Sequence, residues 1–413
     1  MEKIELMAPA GSFESLQAAI YAGADAVYFG VEQLNMRARA ANNFALKDLK
    51  KIAVITKKAK IKSYLTLNTV MYDHDLPLMR KICDAAKAAG IDAIIASDLA
   101  AIQIAREKKL HIHISTQQNI SNIEAVKFFA QFADVIVLAR ELTLQQIKYI
   151  VQTIEKENIK GSSGEKIRIE LFVHGALCVA ISGKCYMSLA TYHASANRGA
   201  CLQNCRRAYK VTDEETGDEL VIDNKYIMSP KDLCTIGFLD KILDTGVQVL
   251  KIEGRGKAPE YVATVTRVYK EAIESWKNKT YTQEKISRWM KELEKVYNRG
   301  FWQGGYYLGK KLGDWSGAYG SQATTEKHYL GKIKNYYKKS KIALITLEAG
   351  ELKTGFSVII TGPTTGLVET TVSKVYKDDK QIIIAKKGDE ITIPIQKLVR
   401  KNDKIFVVVE KHG

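Results

Sequence analysis

No run of eighteen apolar residues occurs in this 413-residue chain, so a transmembrane helix is not expected. The opening residues, MEKIELMAPAG, are acidic and short of apolar residues before a proline and a glycine, which is not the pattern of a secretory signal. A cytoplasmic protein without a membrane partner is expected. No HExxH motif is present, and neither Ser12 nor Ser188 stands in a serine-hydrolase elbow, so two common peptidase chemistries lack their residues. Cysteine is scarce, with six in all. In a reducing compartment, cysteines that cluster are metal or redox ligands more often than disulfide partners.

What is present points to an α/β protein. The length suits one large domain plus a smaller one. Over the first 260 residues, short apolar runs alternate with amphipathic segments. "LMAPAG" reads as a strand and turn, and Ser12 then caps the helical "FESLQAAIYAG", which stops at Gly23. "DAVYFG", "SYLTLN", "DAIIAS", "HIHIST", "DVIVLARE", "IELFVHG" and "VLKIEGR" read as further buried strands. Helices such as "LAAIQIAREK", capped by Asp98, lie between them. The alternation predicts a (β/α)8, TIM-like barrel, whose chemistry sits at the C-terminal strand ends. Asn68, Ser97, Gln117, Arg140, His174, Glu253 and Arg255 fall at such ends.

From about Lys327 the pattern changes to short strands separated by "EAG", "GPTTG" and "KDDK" turns, which predicts a small antiparallel β-barrel. The expected domains are 1–326, the barrel with a helical extension, and 327–413. The second segment holds seventeen Lys and Arg against nine Asp and Glu. It carries half of the chain's net charge of +16, which points to a polyanionic partner such as nucleic acid.

Five of the six cysteines lie between positions 178 and 234. Cys178, Cys185, Cys201, Cys205 and Cys234 are separated by six, fifteen, three and twenty-eight residues. Thiolates converging on one loop need a cation. Structural zinc sites mostly use tight CxxC pairs, and none occurs here, so the wide spacing favours an iron–sulfur cluster. Cys83, in the helical "KICDAAKAAG", reads as plain core.

The segment from Glu170 to Ser188 fits ExFxxGALCxxxxGxCxMS. This pattern resembles the signature of the collagenase-like peptidases, peptidase family U-thirty-two. "NRGACLQNCRRAY", "SPKDLC", "KIEGR" and "YNRGF" are similar to further blocks of that family. The basic C-terminal segment resembles the appendage of its tRNA hydroxylation branch. The resemblance implies a four-iron–four-sulfur cluster held by Cys178, Cys185, Cys201 or Cys205, and Cys234, with Cys201 the better fit to the spacing. It also implies oxygen-independent hydroxylation of a tRNA wobble uridine to 5-hydroxyuridine, with prephenate as co-substrate.

The family name raises peptidase activity as the alternative, for which Cys178 beside His174 would be the nucleophile and base. On the hydroxylase reading, the expected catalytic residues are His174, Glu253 and Arg255. A dicarboxylate needs fixed guanidinium donors, for which Arg37, Arg39, Arg140 and Arg198 are candidates alongside Arg255. Tyr186, Tyr192 and Trp302 are candidates for stacking an extruded base.

Overall fold

A computed structural model describes residues 3–39, 42–210, 212–217, 228–309 and 314–411. Eight parallel strands form a closed barrel. In order around it are β1 (Glu5–Pro9), β2 (Ala26–Phe29), β3 (Lys62–Leu67), β4 (Ala93–Ala96), β5 (His111–Ile114), β6 (Val135–Val137), β7 (Arg168–Gly175) and, after an intervening β8 (Asp232–Cys234), β9 (Val249–Ile252). Closure runs through β9. Val249 pairs with Glu170 of β7 on one side and with Glu5 of β1 on the other. These strands are buried on both faces, which is why they read as near-continuous apolar runs rather than as alternation.

The helices between strands turn one apolar stripe inward. The helix Leu144–Glu157 buries Ile147, Ile150, Val151 and Ile154, the spacing of a single helical face. Thr143 and Gln146 form its capping box, and Asn158 ends it in the left-handed conformation. Ser12 and Asp98 cap their helices as expected, accepting from Ser15 N at 3.2 Å and Ala100 N at 2.9 Å. Cys83 is fully buried core.

Strand β7 is longer than its neighbours, and its far end stays paired with β9 on one edge after β6 has ended on the other. There β8 pairs antiparallel to it, with His174 opposite Cys234 and Gly175 opposite Leu233. A further strand, β10 (Phe301–Gln303), lies parallel to β8. This two-strand flange decides where His174 and Cys234 point.

From Thr325 onward the chain forms an eight-stranded antiparallel sheet and a two-stranded one around a separate apolar core. This domain packs on the first barrel helix, Phe13–Tyr21, through the strand Gly366–Thr371. The approach is close enough to need glycine: at Gly366 (φ +69°) a Cβ would lie 2.9 Å from the Ala18 nitrogen. An ion pair of 2.7 Å joins Lys327 to Glu260. Among the described residues, no helix is long and apolar enough to cross a membrane.

Candidate functional site

A cavity of about 500 Å³ opens at the C-terminal ends of the barrel strands. Its floor is charged. Lys251, from the middle of β9, reaches Glu170 of β7 at 2.7 Å, both nearly inaccessible to water. Burial pushes the pair toward neutrality, Glu170 up and Lys251 down, and their mutual attraction opposes both shifts. Neither residue was expected at the site. The legible signal was one acid and one lysine inside otherwise apolar strands.

Above this pair, the turn after β9 supplies Glu253, Arg255 and Lys257. Arg255 is buried and donates to Asn35 Oδ1 at 3.0 Å and Thr66 Oγ1 at 2.7 Å. Burial depresses its guanidinium to about 10, which leaves it charged at neutral pH. Its backbone passes so close to the first βα turn that a Cβ on Gly11 would lie 2.0 Å from the Arg255 carbonyl oxygen. Glu253 pairs with Arg37 at 3.1 Å. Burial raises the Glu253 carboxyl, but Arg37, Lys257 and Arg140 outweigh it and hold it below its ordinary value. Arg140 lies 4.2 Å from the Phe172 ring and donates to Ala176 O at 3.1 Å.

Lys257 also lines the cavity, 3.0 Å from the Tyr297 ring centre, and burial lowers its ammonium to about 8. It is charged below that pH and neutral above it. A dicarboxylate bound here should therefore weaken between about pH 7 and pH 9. The loss of one charge near ~4 Å is worth about 1 kcal/mol, or roughly fivefold. Calorimetric titration with a small dicarboxylate at the two pH values checks this, and the Lys257→Gln protein should show a flatter profile.

Four thiols face the cavity from one loop: Cys178, Cys185, Cys201 and Cys205. Burial raises the Cys205 thiol, and the charges of Cys178, Cys201 and Cys185 raise it further, so all four lie within electrostatic reach. The loop is held by its own polar contacts. Ser188 accepts from Leu202 N at 3.0 Å, Asn204 Nδ2 donates to Met187 O at 3.3 Å, and Arg206 Nη2 donates to Leu177 O at 2.6 Å. Ser188 is thus a structural hydroxyl. Among the described residues, no three His, Cys, Asp or Glu are grouped to hold one metal ion. A four-thiol set around a shared space fits a multi-iron cluster, which keeps its ligands apart, better than a tetrahedral zinc ion.

The structure places several of the expected site residues away from the cavity. Cys234 does not join the other thiols. It is fully buried on β8, its sulfur 3.8 Å from Met290 Sδ, and burial lifts its thiol to about 12. Cys205 lines the cavity together with Cys201. His174 lies outside the cavity, among Tyr261, Tyr269 and Phe301, with Nδ1 3.3 Å from the Tyr269 hydroxyl. Burial depresses it to about 3, so it stays neutral, and it does not line the cavity that Cys178 faces. Both residues sit where β8 pairs with the end of β7, and neither lines the cavity.

Of the arginines expected at the site, Arg37, Arg140 and Arg255 line the cavity, whereas Arg39 and Arg198 do not; Arg206 and Arg299 line it as well. Arg39 is exposed. Arg198 is a tie that pairs with Asp75, donates to Val70 O at 3.0 Å and covers the Tyr72 ring at 4.1 Å. Trp302 is buried core and cannot stack a ligand, while Tyr186 and Tyr192 are exposed.

The match to known proteins is extensive. The model of Peptidase family U32 fits residues 11–317. A protein named Collagenase from Porphyromonas gingivalis is 55% identical over 402 residues, 97% of each chain. The tRNA hydroxylation protein P1 of Bacillus subtilis is 30% identical over 391 residues, 92% of this chain and 88% of that one. A 23S rRNA 5-hydroxycytidine synthase of Escherichia coli is 37% identical over 275 residues, 66% of this chain and 40% of that one. The barrel, its cysteine loop and these matches together make the chain a member of Peptidase family U32.

Proposed function

We propose that this protein hydroxylates RNA in an iron–sulfur-dependent, oxygen-independent reaction, with a tRNA wobble uridine as target and 5-hydroxyuridine as product. One observation carries the reading: four thiols of a single loop share a cavity with Arg37, Arg140, Arg255 and Lys251. Cys178, Cys185, Cys201 and Cys205 would hold a four-iron–four-sulfur cluster. When bound, such a cluster supplies one-electron redox chemistry beside the cavity. Replacing C5–H by C5–OH requires an oxygen-atom donor that is itself reduced by two electrons. A small dicarboxylate of the prephenate type would be the co-substrate, and the guanidinium groups of Arg37, Arg140 and Arg255 suit its carboxylates. The net charge of +16 suits a polyanionic RNA. Relatives named for tRNA and rRNA hydroxylation support the reaction class.

A peptidase is the second reading, favoured by the name Collagenase on the relative that is 55% identical. Against it, no histidine among the described residues lines the cavity that Cys178 faces. Gene deletion followed by mass spectrometry of tRNA nucleosides tests the choice, alongside gelatin digestion by anaerobically purified protein. Loss of 5-hydroxyuridine and no digestion is the expected result. Unchanged nucleosides, with digestion that Cys178→Ser abolishes, would establish the peptidase instead.

A further inference from the structure

Beside the main cavity lies a second recess of about 250 Å³ that none of the roles above uses. The two are contiguous, since Met36, Asn68, Gln117, Ser182 and Gly183 line both. The recess owes its wall to contacts between distant segments. Val70 N donates to Asn197 O at 3.1 Å, and Arg198 donates to Val70 O, so the loop after β3 is stitched to the cysteine loop.

Its lining is of two kinds. At the lip stand two exposed apolar side chains: Leu99 is 64% exposed and Val70 47%. Inside are the amides of Gln117, Gln118 and Asn197. Their contacts within the protein are one-sided. Gln117 Oε1 accepts from Asn68 Nδ2 at 3.1 Å, Gln118 Nε2 donates to Ser97 O, and Asn197 Oδ1 accepts from Cys185 N at 3.3 Å. Among the described residues, no hydrogen bond uses Gln117 Nε2, Gln118 Oε1 or Asn197 Nδ2. Asp98, the acid in the lining, has both oxygens committed, to Ala100 N and Met71 N. Exposed Lys184 adds a cation at the rim.

An apolar lip over spare amide donors and an acceptor suits a flat heterocycle with a hydrogen-bonding edge. Amide side chains pair with base edges, and apolar surfaces cover base faces. Just outside, Tyr72 presents a half-exposed ring capped by Arg198. We propose that this recess seats a nucleobase adjacent in sequence to the one that enters the thiol-lined cavity, and so reads the context of the target. The proposal rests on the RNA-hydroxylation reading and adds to it a specificity subsite.

The test pairs protein and RNA changes. Anticodon-type hairpins carrying the target uridine are made intact, or with an abasic residue on its 5′ or 3′ side. Their affinities are measured for the wild type and for Leu99→Ala and Val70→Ala, whose exposed side chains can be trimmed without disturbing the core. The wild type should bind the intact hairpin about tenfold more tightly than one of the two abasic forms. Both variants should close most of that gap by weakening only toward the intact RNA. A gap that neither variant narrows, or equal wild-type affinity for all three hairpins, would overturn the subsite while leaving RNA hydroxylation standing. If the wild type binds none of the hairpins, the hydroxylation reading itself fails and the subsite with it.

Discussion

Cys205→Ser protein purified without oxygen should come off the column colourless, with iron near background, whereas Cys234→Ser should remain brown and hold about four irons. Cys178→Ser, Cys185→Ser and Cys201→Ser should behave like Cys205→Ser, each losing 5-hydroxyuridine formation along with the metal. The reason is geometric: these four thiols line one cavity, and the charges of three of them bear on Cys205. Removing any one exposes the cluster to water and oxidation. Cys234 is packed against Met290 in the core, and a serine there costs only the burial of a hydroxyl, about 1–3 kcal/mol if it finds no partner. Iron and sulfide analysis with absorbance near 400 nm decides the matter. Iron retained in Cys205→Ser and lost in Cys234→Ser would reverse the assignment, and stoichiometric zinc in place of iron would remove the cluster altogether.

Glu170→Leu should destabilise the barrel by about 3–5 kcal/mol, the cost of leaving the Lys251 ammonium buried without its partner at 2.7 Å. Adding Lys251→Met should restore most of the loss, because two apolar side chains of similar size need no mutual charge. Urea midpoints of the single and double variants measure both effects. A Glu170→Leu protein as stable as the wild type would show that the pair is not a coupled buried contact. The double variant separates fold from function: with Lys251 gone from the cavity floor, it should fold but bind a dicarboxylate more weakly.

Much of the architecture was legible because it is local. A strand buried on both faces is an unbroken apolar run, and helix starts are set by single side chains such as Ser12, Asp98 and Thr143. The gathering of cysteines, and the placing of Glu253 and Arg255 just after the last barrel strand, were legible for the same reason: position relative to a strand end is a property of the chain itself. Which thiols share a space is not. The family resemblance pointed to Cys234 and left Cys205 as an alternative to Cys201, yet Cys178, Cys185, Cys201 and Cys205 all line the cavity, while Cys234 is buried on β8 beside the end of β7. His174 also packs among tyrosines outside the cavity, although its place at the end of "IELFVHG" promised a catalytic side chain. The pairing of Lys251 with Glu170 likewise joins residues 81 positions apart through a register that neither strand encodes alone. Sequence determines which face a side chain takes within its own strand. Only the packing of strands distant in sequence decides what that face looks upon.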